Sequence, residues 1–224
     1  MKTKSTTVSQ TKDLLSQAYS LKQLDLDSDA RLARKGFVFE TEAYDIAELG
    51  HLCVMRMKAM LGLMQMETAI LSVTHKDMPL INLDYVKAFG KETQIVELYD
   101  TQLAYEPEEL LKSFEQIHGR DVDLADYISV GTHWFDDILY PCSYHKMGRG
   151  VSERLAGAAR DCVETYISLL ASAPTCDPVE KQGKTRSLAE KLFANGGPAV
   201  DQVTRLFGRE TAERLIVRHM YGIR

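Results

Sequence analysis

The sequence contains no long apolar segment and few cysteines. None of its apolar runs approaches the roughly 20 residues that a membrane-spanning helix needs, and the polar start, residues 1–5, is not followed by the apolar core of a secretory signal. The four cysteines are too scattered for a zinc ribbon or an iron–sulfur cluster: Cys53, Cys142, Cys162 and Cys176. We therefore expect a cytoplasmic protein with reduced thiols, mostly in its core, and no membrane partner.

The fingerprints of several common enzyme classes are also missing. The chain has no phosphate-binding loop, no Gly-x-Gly-x-x-Gly after a strand, no Gly-x-Ser-x-Gly elbow and no His-Glu-x-x-His. Its six histidines never fall at metal-ligand spacing on one helix. These absences disfavour ATP-dependent, NAD-dependent and simple hydrolytic enzymes, and they predict that the chain has no metal site.

Composition and charge limit the domain organisation and the partners that remain possible. With 224 residues, 45% of them hydrophobic, the chain can bury a sizeable core, and we expect one domain over 1–224, with 1–36 as an N-terminal helical extension. The net charge is −5, but residues 181–224 hold nine Lys and Arg against four Asp and Glu, which leaves +5 there and −10 in the rest. This basic segment suits an anionic partner, although an ordinary solvated helical face explains it equally well.

Apolar spacing predicts the order of the elements in the first third of the chain. Residues 14–24 have helical spacing, and 37–40 suggest a short strand. From about residue 45 to 64, apolar residues recur at intervals of three and four. This periodicity predicts a long, largely buried helix.

The middle of the chain predicts an antiparallel sheet. Three β-like runs, 67–74, 80–89 and 93–99, are joined by connections too short for a crossover helix. Helical patterns follow at 107–119 and 152–173, and three shorter helices end near 195, 207 and 220. The sum is an α+β fold with helices packed on an antiparallel sheet.

Asp84 is the first candidate for a functional residue. It lies in the middle of the run 80–89, and strand interiors reject aspartate unless something binds it. His75 ends the preceding strand, where a hairpin would bring it and Asp84 into one pocket as a proton-active pair. Two structural explanations stay open: Asp84 accepts hydrogen bonds from a loop or faces water, and His75 is a solvated loop residue.

Several segments, in order, resemble the ferredoxin-dependent bilin reductases. Met78-Pro79-Leu80-Ile81-Asn82-Leu83-Asp84 is similar to the family's Leu-Pro-(Leu/Ile)-Phe-Gly-x-Asp strand, and residues 206–214 are similar to its closing Ala-Phe-Gly-x-x-Trp-Ala-x-x-Tyr helix. Residues 133–138 and 151–154 resemble its middle segment. The similarity spans roughly residues 45–221.

The resemblance implies a three-layer α/β/α sandwich that binds a linear tetrapyrrole between the sheet and the C-terminal helices. It further implies no flavin, no metal and no other tightly bound cofactor, with reduced ferredoxin supplying single electrons and side chains supplying protons. Asp84 matches the family's catalytic aspartate. Ser72 stands where most members have a histidine, which His75 matches only with a shift, and Asp201 is the substitute for a later aspartate.

The resemblance also suggests residues that bind the substrate. These are Ser72, Asn82, Arg205 and Arg209, of which the arginines suit the propionates of a tetrapyrrole or, instead, an acidic ferredoxin. The chemistry is physically reasonable, since a carboxyl held in an apolar sheet has a raised pKa and stays able to donate a proton.

Two other functions remain as alternatives. One is a non-catalytic carrier of a tetrapyrrole or another hydrophobic ligand on the same fold. The other is DNA binding, in which the helix pair around Phe207-Gly208 would be a helix-turn-helix. The net charge of −5, with Glu210 and Glu213 beside that turn, disfavours it, so we expect no nucleic-acid partner.

Overall fold

A nine-stranded antiparallel sheet forms the centre of the computed structural model, which describes residues 7–127 and 133–223. The strands are β1 (Leu21–Gln23), β2 (Arg31–Arg34), β3 (Phe37–Ile46), β4 (Gly50–Ala59), β5 (Met64–Val73), β6 (Leu80–Ala88), β7 (Lys91–Tyr99), β8 (Ala125–Asp126) and β9 (Tyr144–Gly148). The helices are α1 (Thr7–Ala18), α2 (Glu108–Gly119), α3 (Ser152–Leu170), α4 (Pro178–Asn195), α5 (Pro198–Phe207) and α6 (Arg209–Glu213), which continues as the π-helical segment Arg214–Met220.

Consecutive hairpins build most of the sheet. The strand order is β1-β3-β4-β5-β6-β7-β9-β8, and β2 also pairs with β3. The predicted meander is confirmed as β5, β6 and β7, and the strand predicted at 37–40 is the first part of β3. No element was predicted for 128–145, of which 128–132 lie outside the described residues.

The long helix predicted over 45–64 is wrong. That segment holds the end of β3 and all of β4, which pair with each other from Val38↔Lys58 to Ile46↔Gly50. Nearly every side chain of β4 is buried, because helices cover both faces of the sheet there. A strand buried on both faces is a nearly continuous apolar run, so an apparent three-and-four spacing in it does not distinguish a helix from a strand. The N-terminal helix also ends earlier than predicted, at Ala18, before β1.

Two separate apolar cores, one on each face of the sheet, confirm the α/β/α sandwich. Alternate residues of each strand point to opposite faces: Leu52 and Val54 of β4 join the core beneath α1, α2 and α3, whereas Cys53 and Met55 join the core beneath α4, α5 and α6. We call the first face the closed face and the second the open face, for the cavity described below.

The predicted helices after the sheet are confirmed. The patterns at 107–119 and 152–173 correspond to α2 and α3, and the three closing helices to α4, α5, and α6 with its π-helical segment. Leu206 of α5 and Ala212 of α6 are buried in the core on the open face. The helix pair at Gly208 is therefore an integral part of the sandwich.

Lys181 anchors α4 over the open face. Its fully buried ammonium group donates hydrogen bonds to the backbone oxygens of Met78 (2.7 Å) and Thr101 (2.6 Å). Burial of the charge lowers the pKa of Lys181 to about 8. Because a buried cation needs such partners, the contact fixes the start of α4 against the loops that precede β6 and follow β7, which lie side by side at the end of the hairpin away from its turn.

The thiols lie largely where the sequence suggested. Cys53, Cys142 and Cys162 are free and buried, and Cys176 is half-buried. Within 7–127 and 133–223, no helix is both long and apolar enough to cross a bilayer, and no three His, Cys, Asp or Glu side chains are grouped to hold a metal ion.

Candidate functional site

A cavity of about 450 Å³ lies between the open face of the sheet and α4. Most of its wall is apolar and aromatic, and its floor is polar. The wall includes Met55, Met66, Ile70, Val86 and Ile95 from the sheet, Trp134, Phe135 and Leu139 from the β8–β9 connection, and Leu188, Leu192, Ala199, Met220 and Tyr221 from the helices. An apolar cleft of this size with a few convergent polar groups is the usual form of a small-molecule site.

Asp84 lies at the centre of the polar floor, on β6. In the sheet register it stands opposite Thr68 of β5 on one side and Ile95 of β7 on the other. The Thr68 hydroxyl donates to Asp84 Oδ1 (2.5 Å), and the Asn82 amide donates to Asp84 Oδ2 (2.9 Å). Both carboxylate oxygens are thus held by the neighbouring sheet residues.

A second carboxylate, Glu97 of β7, completes the floor. The Asn82 amide also donates to Glu97 Oε2 (3.2 Å), so Asn82 bridges the two acids. The Tyr99 hydroxyl donates to the same Glu97 oxygen (2.8 Å), and His145 Nε2 lies 3.2 Å from Glu97 Oε1. The result is a continuous polar row across four strands on one face of the sheet.

The environment makes Asp84 a weak acid for an aspartate. Burial raises its pKa to about 6, and the negative charge of Glu97 adds to this, against the opposing effects of the Thr68 and Asn82 hydrogen bonds and of His145. A carboxyl with such a pKa exchanges a proton readily near neutral pH, which suits a general acid.

The β8–β9 connection supplies an aromatic wall. The rings of His133 and Phe135 are stacked with centroids 5.0 Å apart, and Trp134 meets Phe135 edge-on at 5.5 Å. The indole N–H of Trp134 is buried and has no hydrogen-bond partner among the described residues. A buried donor of this kind suits a ligand that carries an acceptor such as a carbonyl oxygen.

The structure brings only two of the predicted site residues, Asp84 and Asn82, into this cavity. Ser72 and His75 line a separate cavity of about 190 Å³. The predicted His75–Asp84 pair is wrong, because the β5 residue opposite Asp84 is Thr68, seven positions before His75 and roughly 20 Å away at the rise of a strand.

The predicted C-terminal residues lie outside the cavity as well. Asp201 and Arg205 are exposed on α5. Arg209 stacks over the Phe193 ring at 4.7 Å and lines a groove of about 410 Å³ beside α4. Their suggested roles with a substrate or an acidic partner stay predictions.

Sequence reasoning missed Glu97, Tyr99 and His145. The sequence does contain a signal for Glu97, because this carboxylate lies between Val96 and Leu98 in a predicted strand, where it is as unfavourable as Asp84 is in its own strand. The sequence contains no comparable signal for His145. Its place beside Glu97 depends on the pairing of β9 with β7, which are 45 or more residues apart in the chain.

Comparisons with known proteins give a likeness of fold. No family model and no curated sequence matches the chain. Among solved structures, it is similar to phytochromobilin synthase from tomato in complex with biliverdin, with a TM-score of 0.69. The likeness covers 95% of this chain and 80% of the other at 11% sequence identity. The α/β/α fold that the sequence motifs suggested is therefore confirmed.

Proposed function

We propose that this protein binds an open-chain tetrapyrrole of the biliverdin type in the cavity on the open face and reduces it with single electrons from ferredoxin. The observation that carries the proposal is Asp84, a carboxyl of pKa about 6 on the floor of an apolar and aromatic cavity. The fold it shares with a biliverdin-bound synthase supports the choice of ligand.

The proposed reaction saturates one conjugated double bond. Two electrons, delivered one at a time by two reduced ferredoxins, and two protons are added to the bilin, and two oxidised ferredoxins leave. The protein needs no flavin or metal of its own for this, because the conjugated ligand itself accepts each electron. We place the reaction in the cytoplasm, where the thiols stay reduced.

Four residues of the polar floor have a part in the proposed proton transfer. Asp84 donates the first proton to the one-electron-reduced ligand, whose added charge makes it a stronger base, then takes up a proton from solvent and donates it after the second electron. Thr68 and Asn82 orient the Asp84 carboxyl through their hydrogen bonds. Glu97 keeps the proton affinity of Asp84 high by its charge, and His145, beside Glu97, lies within the same row.

The test compares Asp84→Asn with the wild type in two measurements. Binding is followed by the absorption change of added biliverdin, and turnover by loss of biliverdin absorption with a ferredoxin reducing system. Asparagine has nearly the same shape but cannot supply the proton, so we expect binding to persist and turnover to fall by roughly 10² to 10⁴.

Asp13→Asn is the matched control. It makes the same chemical change on α1, at an exposed position on the closed side of the sandwich. It should leave both measurements unchanged. Undiminished reduction by Asp84→Asn would refute the proposed proton donor.

A non-catalytic bilin carrier is the second candidate function. It is favoured by one observation: the residue opposite Asp84 on the preceding strand is Thr68 and not a histidine. Stoichiometric biliverdin binding with no reduction under the same conditions, and equal binding by Asp84→Asn, would establish the carrier.

The proposal also predicts the content of the purified protein. It should contain no stoichiometric flavin, haem iron or other metal. An optical spectrum and elemental analysis check this, and one equivalent of flavin or zinc would require a different enzyme class.

A further inference from the structure

Three hairpin turns lie side by side at one end of the sheet. A single row of paired residues crosses the strands just before these turns: Val38, Lys58, Gln65, Lys87, Glu92 and Gly148. We call the residues beyond this row, 34–37, 60–63 and 89–90, together with 149–150, the hairpin end.

Large apolar side chains project from the hairpin end into solvent. Leu61 is fully exposed, and Met60, Leu63 and Phe89 are 50%, 59% and 61% exposed. These are four of the seven large hydrophobic residues that are exposed in the described parts of the chain. The Phe89 backbone N–H donates to the Leu63 carbonyl (3.3 Å), which holds two of the turns against each other. The four side chains therefore form one patch.

The backbone at this patch is in an unfavourable conformation. Met60, Leu61 and Phe89 have φ angles of +52°, +56° and +50°. Bulky residues rarely adopt the left-handed region, and glycine would be the usual residue there. Neither the strain nor the exposure of these side chains helps the chain to fold, which points to a role outside folding.

Positive charge surrounds the patch. Residues 33–38, 57–66, 86–91 and 147–151 contain no Asp or Glu, although the whole chain has a net charge of −5. They contain six cations: Arg34, Lys35, Lys58, Lys87, Lys91 and Arg149. The neighbouring acid, Glu92, is buried and paired with Lys87 (3.0 Å). The hairpin end is thus strongly basic on an acidic protein.

We propose that the hairpin end docks on an anionic membrane surface. Leu61, Phe89 and their apolar neighbours insert between the lipid headgroups, and the surrounding lysines and arginines contact the lipid phosphates. Protruding side chains on convex turns fit a fluid bilayer, which needs no preformed complementary pocket. This inference does not depend on the proposed reaction.

The proposal reverses the expectation of no membrane partner. That expectation rested on the lack of a long apolar run, whereas shallow insertion requires only a few apolar side chains at turns. Docking would also place the cavity close to the bilayer, because Met66 and Val86 line the cavity and pair with each other next to the hairpin end.

The test is co-sedimentation of the full chain with vesicles. Vesicles of phosphatidylcholine alone are compared with vesicles that contain phosphatidylserine, over a salt series. We expect binding to the anionic vesicles, weak binding to the neutral ones, and a loss of affinity as salt screens the lysines.

Two pairs of variants separate the apolar and the charged contributions. Leu61→Ser with Phe89→Ser should abolish sedimentation at every salt concentration. Lys58→Gln with Lys91→Gln should weaken binding to anionic vesicles by about fivefold per lysine. The matched controls are Val179→Ser, at an exposed valine on α4, and Lys112→Gln, at an exposed lysine on α2, and both should bind like the wild type.

Three results would overturn the proposal. The first is a wild type that sediments with neither kind of vesicle. The second is binding that survives Leu61→Ser with Phe89→Ser. The third is binding to an acidic ferredoxin that the lysine variants weaken, with no vesicle binding, which would assign the hairpin end to a protein partner. All of these exposed variants should unfold at the wild-type temperature.

Discussion

The two faces of the sheet are built from the same strands but have different roles. On β6, Leu83 points into the closed core and Asp84 into the cavity, and on β7, Val96 and Glu97 divide in the same way. The closed face is packed throughout with apolar side chains from α1, α2 and α3. A change of one position along a strand thus separates residues that stabilise the fold from residues that do chemistry.

The two faces of the sheet also contribute differently to the stability of the protein. Burial of apolar surface on the closed face stabilises the protein. On the open face, the Asp84 carboxyl is partly buried and lies near the charge of Glu97, and both effects disfavour its ionised form. Active sites commonly reduce stability in this way, so loss of the Asp84 charge should stabilise the protein, whereas loss of an apolar side chain from the closed face should destabilise it.

Removal of a large side chain should show the greatest contrast. Phe114 of α2 is fully buried in the closed core, and Phe114→Ala should lower the free energy of unfolding by about 3 to 5 kcal/mol. Trp134→Ala, on the cavity wall, should cost less than half of that while it weakens ligand binding. Urea denaturation and ligand titration measure both. Equal losses of stability would mean that the cavity wall is packed as tightly as the closed core.

Asp84→Asn should stabilise the protein at neutral pH. The folded pKa of Asp84, about 6, lies above the ordinary value for aspartate, so the fold favours the protonated form. This contribution to stability is fully present below about pH 4 and is lost as the pH rises through 6. The uncharged variant should therefore gain up to about 3 kcal/mol at pH 7 and nothing at pH 4.

Denaturation midpoints of wild type and Asp84→Asn across pH 4 to 7 check this. Asp13→Asn serves again as the control, because Asp13 is exposed on the closed side. If the difference between wild type and Asp84→Asn does not change with pH, the Asp84 carboxyl is not desolvated in the fold.

Glu97→Gln should alter the pH dependence of the proposed reduction. Burial is the main cause of the raised Asp84 pKa and the Glu97 charge is a further one, so loss of that charge lowers the pKa. The rate profile should shift to lower pH, and turnover at pH 7 should fall by up to about tenfold, since one pKa unit is tenfold in protonation. Glu40→Gln, at an exposed glutamate of β3, is the control. An unchanged profile would remove Glu97 from the site.

The smallest effect is expected at the groove beside α4. Arg209→Gln with Arg218→Gln should slow ferredoxin-driven turnover severalfold at low salt and flatten its salt dependence, with biliverdin binding unchanged. The effect is small because Glu190 and Glu213 line the same groove and reduce its positive potential. Weaker biliverdin binding with unchanged turnover per bound ligand would instead assign these arginines to the propionates.

Local sequence patterns were sufficient to predict many of the secondary-structure elements of this protein. The meander, the helices after it and Asp84 all follow from short-range signals: turn residues between β-like runs, apolar stripes that end at proline or glycine, and a carboxylate inside an apolar strand. The structure confirms these predictions because each signal depends only on neighbouring residues within one element.

Other features were settled only by contacts between distant segments. Residues 45–64 are strands because helices from both ends of the chain cover them. Strand register placed Thr68 beside Asp84 in place of His75, and the pairing of β9 with β7 brought His145 to Glu97. The hairpin end likewise combines three turns that are separate in the chain. The sequence by itself determined the meander, the helices after it and the place of Asp84 inside an apolar strand, whereas register and layer order, which depend on long-range packing, decided which residues meet.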